Sequence, residues 1–441
     1  MKIKPPLQQL FSEANKANRA LLNIQAHNAL VSAGIILQIE HSTKKIGVGL
    51  IVIWLGITFL SKITQFSNQS NKNLSSLYSL LLGLLLIQTR TILNIEDEFG
   101  LTQYFLIAMG IAAAASLQLE QWKRLLQWIG ATSIPLLILF ALQQLDISTT
   151  LSGKLGGSIT SISQAFSDID ELRSYLQETL FAFLTISGII AGRISSSPQG
   201  KAMSYVSGTC GFILCLITDS RMAIIAPVIS AMLGIALSHT GTIKRLKAKT
   251  KIIVASALMS TILAIILAVA ISPVIKTTSE LPSMASDKGR INIALCWANS
   301  MLSGNNRFIY GSGHDKEFIM QKCTDENVGI FWSEPGRTRG HAHNVLAHMM
   351  GLHGLFGIIA LTLLASVYFK GLLFFARNEK IFDYLPLTFA PWSEAIITMG
   401  LFMIICSAST TFFVYNHTLQ VIIGLALGMP LANREQLKQI H

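Results

Sequence analysis

The chain is short of charge. Lys, Arg, Asp and Glu make up 13% of its 441 residues, where a soluble domain carries about 25%. A surface facing lipid accounts for the shortfall. Acidic residues are the scarcer sign, 23 against 34 Lys and Arg, and leave a net charge of +11. Such an excess suits nucleic acid when it gathers into one patch. Here the basic residues fall in alternate joints between apolar stretches, which is a sign of topology, so a nucleic-acid partner is excluded. Cysteine is also sparse, with five in all, and their spacing makes no metal pattern. Cys210, Cys215 and Cys406 lie in apolar segments and read as packing residues. Cys296 and Cys323 share one polar stretch, and an oxidising compartment would let them pair as a disulfide. There is no internal repeat, no low-complexity segment and no cleavable signal peptide pattern.

What is present is apolar residue, 51% of the chain, in blocks of roughly 17–25, the length that crosses a bilayer core as helix. The blocks are apolar all round, unlike the two-faced helices of a soluble solenoid. The spans read from the sequence are 22–39, 46–65, 77–95, 101–118, 126–143, 175–193, 201–218, 221–238, 251–273, 345–368, 394–412 and 416–432. The expected fold is therefore all-α: a polytopic integral membrane protein with about twelve transmembrane helices. Lys244, Arg245, Lys247, Lys249 and Lys251 mark an inner loop most strongly, and Glu96, Asp97 and Glu98 an outer one. Lys44 and Lys45 are the exception, in a short outer loop. On this orientation 1–21 is a cytoplasmic N-terminal segment, 22–273 holds helices 1–9, and 274–344 is one large outer loop. Helices 10–12 fill 345–432 and 433–441 is a cytoplasmic tail. Within the loop, Ile291 to Leu302 has apolar residues near helical spacing.

Several polar residues gather by this topology at the outer face. Arg221 opens span eight, Arg290 stands in the large loop, and Arg90 lies near the outer end of span three. His341, Ala342, His343 and Asn344 immediately precede span ten. Arginine at that depth is costly, stays charged and offers a planar fork matched to phosphate oxygens. Ordinary snorkelling toward lipid headgroups is the competing reading, stronger for Arg90 than for the other two. Neutral imidazole at position 343 is available as a general base near neutral pH. A metal site from His341, His343, His348 and His353 is disfavoured: the last two are spaced poorly for one face, and no carboxylate or cysteine set completes it. Arginines and a base at a membrane surface suit a lipid-linked phosphate substrate, and do not by themselves separate an enzyme from a transporter.

The chain resembles the O-antigen ligase family, within a superfamily that includes O-antigen polymerases. His343-Asn344, followed after nine residues by Gly354-Leu355-Phe356-Gly357, is similar to the ligase signature where the large periplasmic loop meets the next helix. Ser220-Arg221 resembles the family's Ser-Arg at a helix start. Gly289-Arg290, the helix with Trp297, and Gly311-Ser312-Gly313 resemble its loop arginine segment. The resemblance spans roughly residues 200–370 by motif, and the N-terminal half is similar in topology only. It implies a GT-C-like glycosyltransferase of the bacterial inner membrane with its active site facing the periplasm. The donor would be a glycan on undecaprenyl diphosphate, the acceptor lipid A–core, with membrane lipids around the protein and no cofactor or metal. His343, Arg221 and Arg290 would be catalytic. Arg90, His341, Asn344, Arg337 and Arg339 would contact substrate, and Gly354 and Gly357 would let span ten pack closely on a neighbour. A polymerase or a protein oligosaccharyltransferase of the same superfamily, or an anion carrier of bicarbonate type, are the alternatives. The absence of paired broken spans and of an inverted repeat speaks against the carrier.

Overall fold

The computed structural model describes residues 27–37, 44–66, 98–144, 175–217, 221–239, 287–313, 317–325, 342, 344–377, 392–407 and 417–432. Among them the chain is helical, with no β-strand. The helices are α1 (His27–Ile36), α2 (Lys44–Phe66), α3 (Glu98–Ser116), α4 (Leu119–Ala131), α5 (Ser133–Gln144), α6 (Tyr175–Ile194), α7 (Pro198–Ile217) and α8 (Arg221–His239). After these come α9 (Asp287–Ser300), α10 (Asn305–Tyr310), α11 (Glu317–Asp325), α12 (Val345–Arg377), α13 (Trp392–Ser407) and α14 (His417–Gly428). Of the stretches read as spans, 77–95 and 251–273 lie outside the described residues, and helix runs through part of each of the others. Among the described residues, three stretches are long and apolar enough to cross a membrane: Leu119–Ala141, Pro198–Ile217 and Val345–Phe375.

The first of these three is two helices in series. In α4 the apolar Trp122, Leu125, Leu126 and Ile129 recur at helical spacing and are buried, while Glu120, Lys123, Arg124 and Gln127 occupy the remaining positions. The Lys123 ammonium donates to Ser196 Oγ at 3.3 Å and meets Glu120 at 3.4 Å. This two-faced helix leads through Thr132 into α5, which is apolar nearly throughout. Three charged residues in the first half of α4 place that end at a polar boundary rather than in lipid.

The bundle is built around α6, which packs on α4, α7, α8 and α13. Close backbone approach makes this possible. A Cβ on Gly188 would come within 2.6 Å of the Gly208 nitrogen, and one on Gly130 within 2.9 Å of Gly188. A second pair, Gly110 and Gly424, brings α3 against α14 in the same way. Small residues at such crossings let helices gain van der Waals contact that lipid-surrounded helices cannot gain by leaving water. The larger side chains then fill one continuous core, with Trp54, Trp122, Phe181, Phe375 and Phe402 fully buried.

Among the described residues, one ion pair crosses this core. Glu394, near the start of α13, is 2% exposed. Its carboxylate accepts two bonds from Arg193 at the end of α6, Nε at 2.6 Å and Nη2 at 3.0 Å, and one from Ser238 Oγ near the end of α8 at 3.1 Å. The two-pronged geometry fits a guanidinium to a carboxylate, and the third bond ties three helices at one point.

Residues 287–325 and the first turns of α12 form a second, smaller core. Ile293, Trp297, Met301, Ile319, Met350 and Leu352 are buried together. The sequence pattern gave one helix here, Ile291 to Leu302. The described residues contain three, and the first begins at Asp287 and ends at Ser300. Cys296 of α9 and Cys323 of α11 are joined as a disulfide. Arg307 of α10 lies over the Phe318 ring, 3.4 Å from its centre.

Candidate active site

The long helix α12 is broken. Gly354 has φ 56° and ψ −138°, outside helical geometry, so residues 345–353 and 355–377 are separate helical pieces meeting at a joint. Only glycine adopts such a conformation without steric strain. The break releases carbonyls that a continuous helix would bond internally. Two of them are taken by the turn after α10: the Ser312 amide donates to Gly351 O at 2.9 Å and the Gly313 amide to Leu352 O at 2.7 Å. Buried backbone groups are nearly always paired, so the joint and this turn complete one another. There is no room for a side chain between them. A Cβ on Gly354 would come within 2.6 Å of Gly311 N and Phe308 O, and one on Gly311 would collide with the Leu352 carbonyl.

The sequence expectation for these glycines was close packing of span ten on a neighbour. Gly354 meets the α10 segment of the smaller core. Gly357 faces its own helix, where an added Cβ would collide with Met349 O and come within 3.0 Å of His353 Cβ. The reason is the joint at Gly354, which folds the chain back on the turn before it.

The helix of residues 345–353 starts at Asn344. The Asn344 amide oxygen accepts the Ala347 N–H at 3.0 Å, and its carbonyl accepts the His348 N–H at 3.0 Å. Asparagine is among the preferred residues at this position because its side chain satisfies an otherwise open donor. Asn344 was expected to contact substrate; its side-chain oxygen caps the helix. His348 and His353 follow on the same short piece and are 1% and 3% exposed. His348 stacks on Trp297 of α9, ring centres 4.9 Å apart and planes 24° from parallel. Among the described residues no three His, Cys, Asp or Glu side chains group as metal ligands.

Arg221 is the first residue of α8, and Arg290 lies in the first turn of α9. The side chains of these two, and the residues Arg90, Arg337, Arg339, His341 and His343, lie outside the described residues. What the structure does bring together is the frame. The helix carrying position 290 packs on the helix that begins beside position 343. Sequence reasoning missed the partners that make this contact, Trp297 with His348, and the seat of Gly311 to Gly313 on the joint. The signal that could have found the seat was the pair of glycines at 311 and 313 with another at 354, all of which have positive φ.

Residues 207–362 match the family described as O-antigen ligase. The match covers less than half of the chain and takes in α8, the smaller core and the joint at Gly354. No curated protein matches the sequence. That domain is similar to the O-antigen ligase family, and apolar helices of the kind found in membrane proteins lie around it.

Proposed function

We propose that the protein is a membrane glycosyltransferase of the ligase type, moving a glycan from undecaprenyl diphosphate to a hydroxyl of lipid A–core at the periplasmic face. The observation that carries this reading is the packing of α9 on residues 345–353 inside the matched domain. It supports bringing Arg290 and His343, more than fifty positions apart in sequence, to one site. His343 takes the proton of the acceptor hydroxyl as its oxygen attacks the anomeric carbon. The bond from that carbon to the diphosphate breaks, and undecaprenyl diphosphate leaves with the electron pair. Attack and departure on opposite faces invert the anomeric centre. Arg221 and Arg290 hold the diphosphate and stabilise the charge that grows on it. They supply the positive charge that a divalent cation supplies in other diphosphate chemistry. Arg90, His341, Arg337 and Arg339 line the donor and acceptor paths, the last two beside acidic groups of the core. The large loop of 274–344 is periplasmic in this reading, and the whole chain has about twelve spans in the inner membrane.

The test is a purified reaction of lipid-linked glycan with lipid A–core in the presence of chelator. Wild type transfers glycan, and His343→Ala, Arg221→Ala and Arg290→Ala insert normally but lose at least about a thousandfold of the rate. Full activity of His343→Ala removes the base from the scheme. Lengthening of the donor glycan in place of transfer to lipid A–core would make the protein a polymerase.

A further inference from the structure

We infer that Trp297 and His348 are positioning residues for the transfer reaction, a stacked brace that sets the distance between the base at position 343 and the clamp at position 290. The inference rests on the ligase reading above.

The stack joins two rigid pieces. On one side, the His348 amide is bonded to the Asn344 carbonyl at 3.0 Å, and Asn344 Oδ1 is bonded to the Ala347 amide at 3.0 Å. Residues 344–348 are therefore one tied turn, and residue 343 is covalently next to it. Whatever fixes His348 fixes that turn. On the other side, position 290 lies two helical turns before Trp297 in α9, on the same side of the helix and roughly 10 Å along its axis. The stack is thus a side-chain contact between the helix holding position 290 and the tied turn that follows position 343.

Both rings are buried at this contact. Trp297 is fully buried, and among the described residues its indole nitrogen has no hydrogen-bond partner. A buried indole ordinarily finds an acceptor, so the ring here works by its face. Two neighbours stop it from sliding. Cys296, the preceding residue, is tied to Cys323. Gly351, one turn past His348, admits the Trp297 backbone so closely that a Cβ would lie 2.9 Å from its carbonyl oxygen. Displacement of a reacting group by about 1 Å is enough to lower a rate on the order of a hundredfold.

Activity and amide hydrogen exchange of the full-length protein, reconstituted with lipid-linked glycan and lipid A–core, test the brace. His348→Ala lowers kcat about 10- to 100-fold, leaves KM for the donor within about threefold, and speeds exchange at residues 345–350 by about tenfold. His348→Phe keeps a flat ring, restores kcat to within about threefold of wild type and leaves exchange slow. A phenylalanine variant as inactive as the alanine variant, with slow exchange, overturns the inference, because the imidazole would then be doing chemistry. Wild-type kcat in His348→Ala overturns it as well. Should His348→Ala fail to insert, Trp297→Leu against Trp297→Phe makes the same comparison of no ring with ring. Exchange needs no turnover. If the wild type transfers no glycan, the ligase reading fails, and faster exchange in the ring-less variants alone still decides whether the brace exists.

Discussion

Where α6 meets α7, Gly188 and Gly208 bring two backbones together with nothing between them. Where α9 meets α12, an indole and an imidazole fill the space and a disulfide stands beside them. The bundle holds itself by close approach and one ion pair, the smaller core by large side chains and a covalent tie. In the proposed topology, with the bundle in lipid and the smaller core outside it, the difference follows from the solvent. Lipid is as apolar as leucine, so helices within it gain little by burying leucine and gain more from backbone contact and polar bonds. A short unit in water has a small core and benefits from a staple.

If that division is right, damage stays on its own side. The largest effect is expected from replacing Cys296 and Cys323 by serine. Closing a loop with sequence separation 27 contributes about 3.5 kcal/mol by chain entropy. Amide exchange should quicken across 287–325 and 345–353 while the thermal unfolding of the bundle stays unchanged. A joint loss in both would dissolve the comparison. Next is Glu394→Ala, which strands Arg193 beside the core. A fully buried pair would cost about 3–5 kcal/mol to break in this way. Arg193 is 31% exposed, so about 2–3 kcal/mol is expected, read as a lower unfolding temperature of the bundle with unchanged exchange in 287–325.

Gly188→Ala comes third. Its methyl group meets the Gly208 backbone, which cannot turn aside as a side chain can, and about 1–2 kcal/mol of overpacking strain is expected, measured by the same unfolding. The smallest effect is Asn344→Ala, the loss of one helix cap, at about 1 kcal/mol. It should appear as faster exchange confined to residues 345–348 and sharpens where the smaller core ends.

The apolar character of the chain was legible because composition and block length are linear properties of sequence. Two features were not legible for physical reasons. In α4, Lys123 and Arg124 beside Trp122 look like a joint between spans, and the buried stripe is visible only at the period of a helix; the span expected at 126–143 joins the second half of this helix to nearly all of α5. At Gly354 the apolar run continues on both sides, Leu352 before and Leu355 and Phe356 after, so hydropathy sees one helix where the backbone makes two. The glycine itself permits a break without requiring one. The requirement comes from Ser312 and Gly313, about forty residues earlier, and long-range pairing of that kind leaves no local mark. For the site, the motifs located Arg221 at a helix start and Arg290 in the large loop just ahead of a helix that in fact begins at Asp287. The contact between α9 and the helix that starts after Asn344 is made by Trp297 and His348, whose pairing is likewise long-range.

The joint at Gly354 also has a direction in time. Its carbonyls at Gly351 and Leu352 are completed by amides at Ser312 and Gly313, which precede them in the chain. During synthesis the earlier segment is made first, with its helices and both cysteines, before the broken helix exists. The amides that complete the break therefore belong to a segment that has already been made when residues 345–353 are added.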